Sequence, residues 1–183
     1  PAPTAAELVG DLSPAAAAHL RRIVHVPVAF VTVALDASRV TVPEGLSGVL
    51  VPRDAGLLAT AVSFGSRKWP HWSDGAHTVL RVAVGHRHDD RPADLDDDEL
   101  VAAVRADLST VLGVGVAPVA TRVSRWSPGF AQYQVGHLEL VGRIRSALGA
   151  DAPAVRVVGA DLGGLGLPAC IAQGRGASRE LLF

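Results

Sequence analysis

Residues Val155 to Leu182 constrain this chain more than any other stretch: V-R-V-V-G-A-D-L-G-G-L-G-L-P-A-C-I-A-Q-G-R-G-A-S-R-E-L-L. Val155, Val157 and Val158 make a short β-branched apolar run, which predicts a buried strand. Gly159, Gly163, Gly164 and Gly166 then free the backbone to turn sharply and let another group approach closely. Pro168 stands where the first helical position is expected, since its missing N–H costs nothing there and its φ is already helical. The pattern predicts strand, glycine-rich turn and a helix from about Pro168. Cys170, Gly174, Ala177 and Leu181 recur at helical spacing and are expected to be its buried stripe, with small members that let the axis lie close to a sheet.

The amino terminus of such a helix points into the glycine turn. Its free N–H groups and dipole suit an anionic or carbonyl-bearing ligand, such as a pyrophosphate or a flavin edge. The same corner also occurs as plain architecture, so the motif alone leaves both readings open.

With 183 residues, 49% of them hydrophobic, the chain can bury a sizeable core and is expected to be globular. A formal net charge of -1 gives no field that attracts nucleic acid or an acidic membrane surface. The single cysteine, Cys170, makes no internal disulfide, and its stripe position predicts a buried reduced thiol, consistent with a cytoplasmic protein. No run approaches the ~20 apolar residues of a membrane span. The chain starts at Pro1 in an alanine-rich pattern and contains no Met, so it is expected to be a piece of a longer protein.

Taken in order, Ser13-Pro14 predicts a helix start, with Ser as cap and Ala15 to Arg22 continuing it. His25 to Leu35 is apolar on both alternating sets, as in a central strand covered on two faces. Gly48–Pro52 and Leu57–Phe64 predict a hairpin, and His77–His86 a further strand, giving an antiparallel meander. Asp96 and Glu99 have capping-box spacing, Leu100, Val104, Leu108 and Val111 share one face, and Gly113 ends that helix. Pro118–Trp126 predicts a strand with Thr121, Val123 and Arg125 on one side, broken by Ser127, Pro128 and Gly129. His137–Leu148 predicts a helix with Leu138, Val141, Ile144, Arg145 and Leu148 in register, closed by Gly149.

Most candidate chemistry has an ordinary explanation. His86-Arg87-His88-Asp89-Asp90 carries ligand-type residues but lacks a matching cluster elsewhere, so a solvated turn is expected and no metal site is assigned. The acidic run Asp94, Asp96, Asp97, Asp98, Glu99 fits the start of a helix. No G-x-S-x-G elbow accompanies the lone cysteine, so no nucleophilic triad is supported and no catalytic residue is assigned. Arg53, Arg67 and Lys68 stand in loops with Trp69 and Trp72 and suit the rim of a site for a flat anionic substrate, or a plain soluble surface. Trp126 puts an indole at a strand end, where packing is the ordinary use of the residue.

Four stretches together resemble a known family: Gly48-Val49-Leu50-Val51-Pro52, Ser66-Arg67-Lys68-Trp69-Pro70, Trp126 to His137, and Gly159-Ala160 through Gly164-Leu165-Gly166-Leu167-Pro168-Ala169-Cys170-Ile171 to Gly174. The chain resembles the carboxyl-terminal part of the oxygen-dependent porphyrinogen oxidases, FAD enzymes of haem synthesis, and most closely the actinobacterial coproporphyrinogen III oxidase type. The resemblance implies an α/β (α+β) fold: a mixed, largely antiparallel sheet of a substrate domain with flanking helices, plus the terminal strand-turn-helix of an FAD-binding Rossmann-like domain. On that basis residues 1–130 are expected in the substrate-binding domain and 131–183 in the return to the FAD domain. The implied flavin contacts fall on Trp126, Gly164, Leu165, Gly166 and Leu167. Leu162-Gly163 and Ala131 depart from the usual pattern of Tyr followed by a polar residue and of Pro before Gln-Tyr. No G-x-G-x-x-G occurs, so the amino-terminal FAD domain is expected to lie outside this chain, which alone is expected to be inactive. The implied partners are FAD, O₂, the porphyrinogen substrate and that missing domain, with no nucleic acid. Protoporphyrinogen IX as substrate, another flavin enzyme such as a desaturase, and a non-catalytic module are the alternatives.

Overall fold

The computed structural model describes residues 1–89, 91–113 and 115–182, with the backbone alone at 128. Its helices are α1 (Ala2–Leu8), α2 (Pro14–Leu20), α3 (Gly65–Lys68), α4 (Arg91–Asp94), α5 (Asp97–Leu112), α6 (His137–Asp151), α7 (Ala160–Gly163) and α8 (Leu167–Leu182). Its strands are β1 (His25–Asp36), β2 (Gly48–Leu50), β3 (Ala59–Phe64), β4 (His77–Val84) and β5 (Pro118–Ala131), in sheet order β2-β3-β4-β1-β5. The expected fold class holds: a mixed α/β chain whose described strand registers are antiparallel.

The chain forms two compact units, one of Pro27–Gly129 and one of Pro1–Val26 with Phe130–Phe183. The opening residues, expected with the middle of the chain, therefore group with its end. They do so because Ala2, Ala6, Ala16, Ala17 and Leu20 form one core with Val141, Ile144 and Leu148 of α6.

In the sheet unit, Ala29, Val31, Val33 and Leu35 of β1 alternate into the core with Leu80, Val82 and Val84 of β4. Leu100, Val104 and Leu108 of α5 cover that face, and the reciprocal bonds of Asp96 and Glu99 start the helix at 2.9 and 3.0 Å. Gly113, at φ 69°, ends it as predicted. The face expected to be buried on both sides of β1 is buried on one only; Phe30, Thr32 and Ala34 are half-buried. β5 does not break at Ser127–Gly129 but continues to Ala131. It is the last strand of the described sheet, and on an edge a proline's missing donor costs no ladder bond.

In the other unit Ser13 caps α2, its hydroxyl accepting from Ala16 N at 3.3 Å. α6 buries Leu140, Val141, Ile144 and Leu148, whereas Leu138 and Arg145, expected on that face, are exposed. Gly149 does not close the helix, which runs on to Asp151. The strand expected at Val155–Val158 is absent: Val155 N donates to Ala152 O in a turn, and Val155 and Val157 pack against the helical core instead. The departures at Ala131 and Leu162 are buried in that same core. The stripe expected on α8 is also displaced. Ala169, Cys170, Gln173, Gly176 and Ala177 form its half-buried face, so Cys170 is half-buried rather than buried, and Gly174 and Leu181 face outward.

Candidate functional site

The glycine corner is built from three backbone conformations that side chains resist. Gly159, Gly164 and Gly166 have φ of 142°, 119° and 93°. Between the first two, α7 makes a single turn, with Leu162 N and Gly163 N donating to Gly159 O. α8 then starts at Leu167, one residue before the expected Pro168.

Side chains from the same unit hold this turn. The Tyr133 hydroxyl donates to Ala160 O and accepts from Gly164 N at 3.0 Å, while its ring stacks on His137 at 3.9 Å. Gln173 accepts from Gly159 N at 3.2 Å and donates to Ala169 O at 3.3 Å, and it fills the space beside Gly163 where any Cβ would collide. Asp161 accepts from Ala2 N at 2.5 Å and pairs with His25 Nε2 at 2.8 Å, whose Nδ1 lies 3.1 Å from Ile23 O. None of these four holding residues, Tyr133, Gln173, Asp161 and His25, is identified by the motif reading. The chain's single tyrosine, inside the Trp126–His137 segment, was the available signal.

Of the expected flavin contacts, Gly164, Leu165, Gly166 and Leu167 come together at the start of α8. The amides of Leu165, Gly166 and Leu167 find no acceptor among the described residues, and both leucines are exposed. The nearest side-chain atom to the place of a Cβ on Gly166 is 3.9 Å away, so the approach is open. These donors suit a ligand edge bearing carbonyl oxygens or ring nitrogens. Trp126 belongs to the sheet unit, where its 56% exposed indole lines a cleft of about 300 Å³ with Pro27, Ala29, Pro92 and Ala93.

The basic and aromatic loop is only partly assembled. Lys68 Nζ lies 5.8 Å from the Trp69 ring, which meets Trp72 at 4.8 Å. Arg67 lines a separate cleft of about 330 Å³ with Ser66, Thr41 and His77. No described hydrogen bond or ring contact joins Arg53 to them. In the His86–Asp89 turn, Asp89 takes two 2.7 Å bonds from Arg91, and these hold its carboxyl below the usual carboxylate range. Asp90 lies outside the described residues. Among the described residues no group of three or more His, Cys, Asp or Glu stands close enough to hold a metal ion, and no helix is long and apolar enough to cross a membrane.

A helix amino terminus with open amides beside a glycine turn offers donors to a ligand edge, and the chain's relatives narrow the kind of ligand. Residues 1–182 match the flavin-containing amine oxidoreductases, and the chain belongs to that family. It is 32% identical over its whole length to coproporphyrinogen III oxidase of Bacillus subtilis, covering 38% of that protein. It is 39% identical over 96% of its length to coproporphyrinogen III oxidase of Mycobacterium tuberculosis H37Rv, covering 37% of that protein. A crystal structure of a protoporphyrinogen oxidase-like protein from Exiguobacterium sp. 255-15 superposes on 99% of the chain with a TM-score of 0.82 and 31% identity, over 40% of the other chain. The chain thus spans well under half the length of these relatives. A flavin is the family's cofactor, and the free amides of Leu165–Leu167 are donors of the type its pyrimidine edge accepts.

Proposed function

We propose that the protein carrying this chain oxidises coproporphyrinogen III to coproporphyrin III, with FAD as acceptor and O₂ as reoxidant. The observation that carries this reading is the set of open amides at Leu165, Gly166 and Leu167, in a chain of the flavin-containing amine oxidoreductase family. A bound flavin would supply a two-electron acceptor for each methylene-bridge hydride, with O₂ then reduced to H₂O₂. The amides of this chain would hold the electron-rich edge of the ring and stabilise negative charge gathering there, as oriented donors in a water-poor site do. Tyr133 and Gln173 keep the turn rigid, so the donors need no rearrangement.

In this reading Pro27–Gly129 contributes to the substrate side and Phe130–Leu182 to the flavin side, whose dinucleotide pocket lies outside this chain. A cytoplasmic location, inferred from the single reduced cysteine, belongs to the same reading. Protoporphyrinogen IX is the second candidate substrate, favoured by the likeness to the Exiguobacterium protein.

The test uses the full-length protein with FAD. Coproporphyrinogen III should become fluorescent as O₂ is consumed, faster than protoporphyrinogen IX. A flavoprotein that leaves both porphyrinogens colourless overturns the proposal, and a preference for protoporphyrinogen IX replaces its substrate. Leu165→Pro, which deletes one of the open amides, should lower flavin content or turnover by roughly tenfold or more.

A further inference from the structure

The sheet of the Pro27–Gly129 unit has a second face that the core does not use. Cross-strand partners share a face, so Thr32, Arg81 and Ser63 form one row across β1, β4 and β3, beside a row of Phe30, Ala83 and Ala61. Arg81 is half-buried near the middle of this face, with its guanidinium carbon 4.1 Å from the Phe30 ring centre. Among the described residues it has no ion pair and no side-chain hydrogen bond. Nor does any acid stand at the neighbouring face positions, which are Phe30, Thr32, Ala34, Ala61, Ser63, Val79 and Ala83.

The other half-buried arginine among the described residues shows how such a group is ordinarily satisfied. Arg156 bonds Glu180 at 3.1 Å, Pro153 O at 2.9 Å and Val155 O at 3.0 Å. A partly desolvated guanidinium without acceptors forgoes that compensation, and its contact with a phenyl ring offsets only part of it. Stacking also fixes the guanidinium plane and leaves its edge donors free, the arrangement that takes a carboxylate through two parallel bonds. Hydroxyls of Ser63 and Thr32 flank it in the same row.

We infer that Arg81 is a substrate-binding residue that receives a propionate carboxylate of the porphyrinogen, with Phe30 beside it offering apolar surface to the macrocycle. This rests on the porphyrinogen reading above and adds to it the position of a carboxylate subsite.

The test is equilibrium titration of the full-length protein with coproporphyrin III, the stable oxidised form, and with its tetramethyl ester, each followed by its absorption band. Arg81→Gln should weaken the free acid by roughly ten- to a hundredfold and leave the ester nearly unchanged. Arg81→Lys, which keeps the charge and most of the stem, should fall between them. Equal binding of the free acid by wild type and Arg81→Gln overturns the subsite, as does an equal loss of acid and ester. The acid-to-ester ratio of the milder Arg81→Lys variant decides the matter if the Gln variant is unstable. A wild-type protein that binds neither form overturns the subsite and the porphyrinogen reading together, whereas binding indifferent to Arg81 overturns the subsite alone.

Discussion

α5 and α8 are both sixteen residues long, yet α5 buries Leu100, Val104, Asp107 and Leu108 while α8 buries no residue fully. α5 faces its own sheet, and burial of its stripe accounts for its place in the fold. α8 leaves Leu167, Ile171 and Leu182 exposed, at 79%, 61% and 70%. The helix meets its own unit through a half-buried face built of alanine, glycine, cysteine and Gln173, and through Glu180, which accepts from Arg156 at 3.1 Å. One helix is built into the core of its unit, whereas the other lies against its unit through small residues and is tied at its start by the glycine turn and Gln173 and near its end by the Arg156–Glu180 bond. A helix that buries none of its residues fully and leaves large apolar side chains exposed is better suited to meeting something else than to supporting the chain that carries it.

The largest expected effect tests that contrast directly. Leu108→Ala should destabilise the chain by about 3.5 kcal/mol, whereas Ile171→Ala should change stability by less than about 0.5 kcal/mol, both measured by denaturant unfolding. Comparable losses from the two would break the comparison. Repeating Ile171→Ala in the full-length protein sharpens it: a cost of about 2 kcal/mol there would mean that other parts of the polypeptide cover this face.

Each helix also has a polar anchor near its middle, and these should rank in the same order. Asp107, 8% exposed, accepts from Leu58 N at 2.8 Å and Ala59 N at 2.7 Å, so its carboxylate joins α5 to the start of β3. Asp107→Ala leaves two buried amides without an acceptor and should cost about 2.5 kcal/mol. Gln173→Ala removes its bonds with the half-buried Gly159 N–H and with Ala169 O and should cost about 1 kcal/mol in unfolding. Its larger consequence should be in flavin content of the full-length protein, because the turn it props carries the open amides. A Gln173→Ala protein with normal stability and normal flavin would remove that residue from the site.

What the sequence disclosed follows the range of the interactions involved. Ser13 and the Asp96–Glu99 pair act within a single turn, and both caps are legible from spacing. The start of α8 is equally local, set by Gly164, Gly166 and Pro168. Its buried stripe is not, because Gly174 and Gly176 are alike in composition and only the neighbouring segment decides which faces inward. The Val155–Val158 run has the composition of a strand, but a strand also needs a partner, which no local pattern supplies. β5 passes through Pro128 because it lies at an edge, a property of the whole sheet. Tyr133 and Gln173 reach the glycine turn from positions distant in sequence, and Arg81 meets Phe30 only once β1 and β4 are in register. The motif residues of the site were therefore readable, and the residues that hold or complement them were not.

The smallest expected effect concerns the clasp that precedes α5. Arg91 bonds both oxygens of Asp89, and its Nη2 also reaches Leu57 O at 3.3 Å, so this clasp ties the turn after β4 to the approach to β3. The Arg91 hydrogen bonds hold the Asp89 carboxyl below its ordinary value. A carboxyl whose pKa is lower folded than unfolded stabilises the fold above its unfolded pKa, about 3.9, and loses that contribution as pH falls through the lower folded value. Arg91 is more than half exposed, so solvent screens the pair, and Asp89→Asn should cost no more than about 1 kcal/mol at pH 7. The gap between wild type and variant should stay constant from pH 7 to about 5 and close progressively below about 4. Thermal unfolding across that range checks it. A gap that widened on acidification would show that Asp89 is not held ionised by Arg91, and that α5 owes its position to its apolar stripe and Asp107 without help from the clasp.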